Sequence, residues 1–347
     1  MSAQNRQAGG ATVKPQDDTD FKRQKREKPA RPKRGRSFVS RVAKIVTGFV
    51  MVSLTATEAM MFIIFGRSAL PSTEPFTLGA WAGKYELVWR EFEFPSAGNR
   101  LKGWLISPKN PRALVVLVHG IKSSSDELNP IAQYLVSEDY AVVSFDGTAC
   151  GCSQGTRTVG LQQQRFDLRA LLNYIDSWAF YGDLPLILIG HSAGAYGVAS
   201  ELSRTRAAAA VVVSGFESPL GTMRYWATHY TGPIGNVEYP FLWIREHELK
   251  GADADTSATE SLTRAGVPVM VVHGSADSVV PEEISIYEYT GGGSAPNITR
   301  VYVDTPGHNG HSDILVNESE TNFDLLCAIS DFLDPVAPRP GALLKGY

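Results

Sequence analysis

Cysteine is scarce in this chain, with three among 347 residues, too few to build a disulfide scaffold. Glycine and proline, 32 and 20, follow no collagen-like period, and 43% hydrophobic usage excludes a wholly disordered chain. Long apolar runs are also few, which excludes a many-span membrane protein. Basic residues are short where a nucleic-acid surface would need them: residues 67–347 hold 20 Lys/Arg against 31 Asp/Glu. That balance argues against nucleic acid as a partner of this region. The overall net charge of -3 hides the asymmetry, because residues 1–66 hold 13 Lys/Arg against 5 Asp/Glu.

Residues 1–44 offer almost nothing to bury. Their basic run, Lys22 to Arg36, is broken by Pro29 and Pro32 and reads as a disordered cytoplasmic tail. Residues 45–65, IVTGFVMVSLTATEAMMFIIF, carry one formal charge, Glu58. A helix of that length spans about 30 Å, the thickness of a bilayer core. An acidic residue near the centre of a span costs roughly 2.5–3.5 kcal/mol, taking Glu to be similar to Asp. Ten strongly apolar residues in the run return about 0.3–0.6 kcal/mol each, enough to balance it. The segment is therefore predicted to be a transmembrane helix, and it is the membrane partner expected for this chain.

The basic flank would keep the N-terminus in the cytoplasm and place the rest outside, in a periplasm, cell exterior or lumen. In a lumen, Asn297-Ile298-Thr299 and Asn317-Glu318-Ser319 would be glycosylation acceptors. A cleaved signal peptide fits poorly, since the nearest small-x-small site, Ala80-Trp81-Ala82, lies far beyond the apolar run.

After a linker at 66–84, residues 85–335 alternate apolar runs with amphipathic stretches, the pattern of an α/β domain whose mostly parallel sheet is covered on both faces. About eight strands are expected. An antiparallel pair, near 86–94 and 101–107, opens the series. Buried runs follow at Ala113–Val118, Ala141–Phe145, Leu186–Ile189, Ala210–Val213, Val267–Val272 and Arg300–Val303. Leu168, Leu171, Leu172, Ile175 and Trp178 recur at helical spacing and predict one sheet-facing stripe. The aromatic-rich interval 216–266 is read equally as a lid or as a packed connector, with Phe241, Leu242 and Trp243 lining an acyl pocket or filling core. Residues 336–347 form a C-terminal tail.

The chemistry concentrates where a β-branched strand, Leu186–Ile189, runs into Gly190-His191-Ser192-Ala193-Gly194 and then into a small-residue helix. A G-x-S-x-G at a strand-to-helix turn lifts the serine oxygen clear of the sheet, and Gly190 and Gly194 let neighbouring backbone come close. The helix N-terminus adds partial positive charge. Ser192 is thus the candidate nucleophile.

With these residues the chain resembles the α/β-hydrolase superfamily over roughly 85–335, and within it the esterase, lipase and serine aminopeptidase S33-like branch with its Bem46-type and monoacylglycerol-lipase-like members. The resemblance implies an oxyanion hole from the backbone N–H groups of Ile121, after the His119-Gly120 pair, and Ala193. His119 itself would be structural. It also implies a triad ordered Ser, acid, His. Asp277, after Val269–Val272, matches the acid, with Glu217 as runner-up. Two histidines compete for the base: the family's Gly-His-Asn pattern falls on His308, which is preferred, leaving His311 as a supporting or solvated residue.

His308, His311 and Asp313 mimic metal spacing, but no further ligand set accompanies them, and no metal or cofactor is expected. One stretch departs from the pattern. Where relatives read Asp-x-Arg-Gly, this chain has Asp146-Gly147-Thr148-Ala149, without the guanidinium that usually anchors the loop. Cys150 and Cys152 beside it could pair or remain thiols.

The function these residues imply is a membrane-anchored serine hydrolase cleaving carboxylic esters, lipid or other acyl esters included, through an acyl-enzyme. Serine aminopeptidase, thioesterase and acyltransferase chemistry use the same triad, and a binding protein or scaffold on the hydrolase fold is the alternative of another class. The sequence leaves oligomeric state open.

Overall fold

The computed structural model describes residues 34–67, 75–292, 295–317 and 320–339. Among them, eight strands form one sheet: β1 (Val88–Ser96), β2 (Asn99–Ser107), β3 (Ala113–Val118), β4 (Tyr140–Phe145), β5 (Leu186–His191), β6 (Ala209–Val213), β7 (Val269–Gly274) and β8 (Ile298–Val303). Their order is β1-β2-β4-β3-β5-β6-β7-β8. The pairs β1–β2 and β2–β4 are antiparallel and the others parallel. This is the fold class expected.

The helices are α1 (Arg34–Phe65), α2 (Pro75–Lys84), α3 (Asn129–Ser137), α4 (Gln163–Ile175), α5 (Ala193–Glu201), α6 (Pro219–Thr231), α7 (Gly235–Lys250), α8 (Ala258–Ala265), α9 (Ile286–Tyr289) and α10 (Phe323–Leu333). The period-2 alternation of side chains divides the central strands between two cores. Leu114, Val116 and Val118 face Leu168, Leu171 and Ile175 of α4 and the small residues of α5. Val115 and Leu117 face Ile131 and Leu135 of α3, Leu325 and Ile329 of α10, and Leu78 and Ala82 of α2. Both faces are buried, so β3 to β7 tolerate unbroken apolar sequence.

Several boundaries differ from the expectation. The helix begins at Arg34, so residues 34–44 of the expected disordered tail are helical, while residues 1–33 lie outside those described. From Arg36 to Thr47 it carries neither Gly nor Pro, so nothing in that stretch interrupts the ladder. Over Phe38–Phe65 it is the one helix among the described residues long and apolar enough to cross a membrane. The chain divides into two compact units, Met1–Met51 and Val52–Tyr347. The distal part of the apolar helix therefore belongs with the sheet domain, and so does α2 from the expected linker.

The interval 216–266 is helical, holding α6, α7 and α8. Phe216 is buried and stacks on Tyr196 at 4.9 Å, whereas Trp243 is exposed and stacks on His247. Leu242 alone of the three residues proposed for an acyl pocket is buried. Asn297 donates its side-chain amide to the carbonyls of Leu262 (3.2 Å) and Val267 (2.9 Å), an arrangement a glycan would break. The second sequon includes residues 318–319, outside those described.

Candidate active site

β5 lies at the centre of the sheet and ends at His191, so the next residue emerges at the carboxyl edge, where parallel sheets place their ligands. Ser192 adopts φ 56° and ψ −120°, a conformation an L residue holds only when its surroundings impose it. Two constraints do so. The Ser192 N–H donates to Val213 O of β6 (2.9 Å), and the strand and helix cross so closely that a Cβ on Gly190 would lie 2.4 Å from Gly194 O.

From Ser192 a chain of hydrogen bonds runs inward. Its Oγ donates to His311 Nε2 at 2.9 Å, and His311 Nδ1 donates to Asp277 Oδ2 at 2.8 Å. The other carboxyl oxygen accepts from the N–H groups of Val279 (3.0 Å) and Val280 (2.8 Å). Burial pushes the Asp277 pKa up, but the bond and charge of His311, the Val280 N–H and His273 outweigh it, leaving the carboxyl below its ordinary range. Asp277 is thus an anion held by fixed donors, able to orient an imidazole and to stabilise its charged form.

At the position expected for the base, the structure brings His311 rather than His308 to Ser192. His308, preferred from the Gly-His-Asn pattern, does not approach Ser192: its Nδ1 donates to Asp313 O (2.9 Å) and its Nε2 faces Asn317 (3.3 Å). The intervening chain explains why. Asn309 O accepts from Ala276 N (2.8 Å) and packs where a Cβ on Gly274 would lie 2.3 Å away, so this stretch is pinned against the end of β7. The following residues, through Gly310, return to the serine with His311 in front. Glu217, the runner-up acid, instead accepts from Ser257 and Thr259 at the start of α8 and makes no bond to either histidine.

The positions expected to hold an oxyanion, Ile121 and Ala193, line one small cleft with Gln164, Cys150 and Leu161. Ala193 opens α5, so its N–H has no partner within the helix. Gly120 keeps this approach open, since a Cβ there would meet Ser192 Cβ at 3.2 Å. His119 is buried and structural in its bonding: its Nε2 accepts from Gly147 N (2.9 Å), which leaves the proton on Nδ1 to donate to Gly120 O (2.7 Å).

His191, inside the nucleophile motif, performs a task the sequence did not disclose. Its Nε2 donates to His311 O (2.9 Å), while Nδ1 lies 3.0 Å from Glu127 Oε1, a close ionic contact rather than an aligned hydrogen bond. Burial pulls the His191 pKa down, yet Glu127 and the His311 carbonyl together raise it above the ordinary value. Glu127 is lowered to about 2, burial opposing and His191 overcoming it.

An imidazolium favoured by folding adds stability in full below about pH 6.5, and that contribution is lost as pH rises through the raised value. The Glu127 side is present above its ordinary value and is lost as pH falls towards about 2. Replacing Glu127 with Gln is expected to lower the His191 pKa, read from the imidazole shifts in an NMR titration. An unmoved titration would show that Glu127 does not charge this ring.

The loop after β4 finds its missing guanidinium elsewhere. Arg67 donates to the carbonyls of Ser153 (2.9 Å), Gly155 (2.9 Å) and Gly151 (2.8 Å). Thr148, at the position the resemblance fills with Arg, binds the buried Asp167 through its N–H (2.7 Å) and Oγ1 (2.9 Å). Cys150 and Cys152 carry thiols rather than a disulfide, and burial pushes the Cys150 pKa up to about 12, which makes it a poor nucleophile. The absence of Arg after Asp146 was the available signal for an outside cation; nothing in the sequence named Arg67 as its source.

Residues 109–227 match the family described as serine aminopeptidase, S33, a stretch that includes Ser192 and stops before Asp277 and both candidate bases. The chain is 24% identical over 220 residues to the lysophosphatidylserine lipase ABHD12 of Danio rerio, covering 62% of this chain and 55% of that protein. It is 34% identical over 85 residues to the monoglyceride lipase of Homo sapiens, covering 24% and 28%. The matches therefore span about half, or less, of these relatives' lengths. Among solved structures, an esterase of Pyrococcus furiosus superposes with TM-score 0.58 at 18% identity, covering 78% of this chain and 97% of that one. A hydrolase of Vibrio vulnificus gives 0.57 at 14%, covering 81% and 93%. At such identities these structures speak to the fold.

Proposed function

We propose that this chain, placed in the α/β-hydrolase superfamily by its serine aminopeptidase S33 match and its lipase relatives, is a membrane-anchored serine hydrolase cleaving carboxylic esters, with lipid and other acyl esters as its substrate class. The observation that carries the reading is the unbroken relay Ser192–His311–Asp277, at 2.9 and 2.8 Å. Ser192 Oγ attacks the ester carbonyl as its proton passes to His311 Nε2. The tetrahedral oxyanion takes the N–H groups of Ile121 and Ala193, donors that stabilise charge present only at that stage. Collapse breaks the ester C–O bond, and His311 returns the proton to the leaving alcohol. Water then attacks the acyl-serine by the same route, releasing the acid.

The likeness to a lysophosphatidylserine lipase, a monoglyceride lipase and an esterase supports an ester over an amide. The apolar helix supports anchoring, and its basic N-terminal flank supports a cytoplasmic N-terminus with the hydrolase domain on the other side. Hydrolysis of p-nitrophenyl esters of increasing chain length, set beside aminoacyl amides, tests the substrate class. Ester turnover is expected, and preferential amide cleavage would replace the reading with the aminopeptidase one. Protease digestion of sealed vesicles tests topology: a hydrolase domain cut from the cytoplasmic side would overturn the orientation.

A further inference from the structure

Four residues at successive four-residue steps along the distal part of α1, Ser53, Thr57, Met61 and Phe65, are all buried. That spacing puts them on one slowly turning stripe, and each meets the catalytic domain. Ser53 and Thr57 donate to the two carboxyl oxygens of Glu238 on α7, at 3.1 and 3.3 Å. Met61 and Phe65 form a small apolar core with Leu242 of α7, and Ile121, Leu161 and Met223 pack against it. Beyond the helix, Phe65 O accepts from Thr158 N (2.9 Å), Arg67 N donates to Thr156 O (2.9 Å), and the Arg67 guanidinium holds the loop 151–155. Glu58, the single charge of the apolar run, accepts from Arg245 Nε of α7 at 2.6 Å. Arg245 is almost wholly buried and also touches Glu246 at 3.3 Å.

An acidic residue in an apolar helix usually marks a partner. Here the partner lies in the same chain, on the helix that carries Leu242, and Leu242 belongs to the cluster touching Ile121 beside the nucleophile. We propose that Glu58 is a positioning residue: by holding Arg245 it clamps α7 against the distal anchor helix, so that Met61, Phe65 and Leu242 form a fixed wall for the acyl chain of the substrate. The anchor is then a part of the acyl site, and cutting the chain after residue 66 removes one side of it. The inference rests on the ester-hydrolase reading for the identity of what the wall contacts.

The test uses the full chain in lipid nanodiscs, with p-nitrophenyl acetate and dodecanoate and with limited proteolysis of α7. Glu58→Arg and Arg245→Glu are each expected to lower kcat/KM for dodecanoate by about tenfold, mainly through KM, with acetate changed by less than about threefold. Both are expected to speed cleavage within α7. The double exchange should return both readouts to within about threefold of the parent chain. Should Glu58→Arg fail to insert, Glu58→Gln serves, with a loss of about threefold on dodecanoate expected. Single variants indistinguishable from the parent, an equal loss on both esters, or a defect that the exchange leaves in place would each overturn the clamp. If the parent chain shows no turnover and no labelling by a fluorophosphonate, the hydrolase reading has failed instead. Proteolysis then decides the clamp alone, with reversal by the exchange supporting it and unchanged cleavage overturning it.

Discussion

Ser192→Ala is expected to abolish labelling by a fluorophosphonate probe and to lower ester turnover by at least about 10⁴-fold. The size follows from the chemistry, since an acyl-enzyme cannot form without the nucleophile and only binding and the oxyanion donors remain to help water attack. The fold should survive the change. The strained backbone at this position is held by the Ser192 N–H to Val213 O and by the close crossing at Gly190 and Gly194, none of which uses the hydroxyl. Circular dichroism and thermal unfolding should therefore match the parent chain. Labelling that persists in this variant would place the nucleophile elsewhere, and a chain that never labels would favour a binding protein on the hydrolase fold.

The second large effect separates two histidines three residues apart. His311→Ala is expected to reduce kcat by about 10⁴-fold or more, because among the described residues His311 is the imidazole hydrogen-bonded to the serine and placed to take its proton. His308→Ala should keep activity within about tenfold and lose stability instead, about 1–3 kcal/mol, by leaving the Asp313 carbonyl without its donor. Steady-state kinetics and urea unfolding on the two variants read both quantities. A dead His308→Ala enzyme with normal unfolding, beside an active His311→Ala enzyme, would reverse the assignment.

Much of this domain was legible because its signals are local. The run Leu186–Ile189 followed by two glycines around a serine specifies a strand, a tight crossing and a helix within eleven residues, and the structure has β5, Ser192 and α5 there. The stripe Leu168, Leu171, Leu172 and Ile175 is buried on α4 as its spacing requires. Strand ends were less legible: β7 runs on to Gly274 and β8 starts at Ile298, since pairing extends a strand until its partner ends, and the partner is distant in sequence. Which histidine meets Ser192 was not legible for a similar reason. The sequence shows two histidines in one glycine-rich loop, and which of them returns to the serine depends on Asn309 being pinned by Ala276 and Gly274, more than thirty residues earlier.

By itself, then, the sequence determined the sheet class, the strand-to-helix turn at Ser192, the acidic turn after β7 and a helix long and apolar enough to span a bilayer. All of these arise from periodicity or from glycine placement among near neighbours. Tertiary structure alone decided that His311 faces Ser192, that Arg67 supplies the guanidinium absent after Asp146, and that Glu58 finds Arg245, 187 residues away. Charges and ring nitrogens act over a few ångströms, and no local pattern specifies which distant partner the folded chain will bring within that reach.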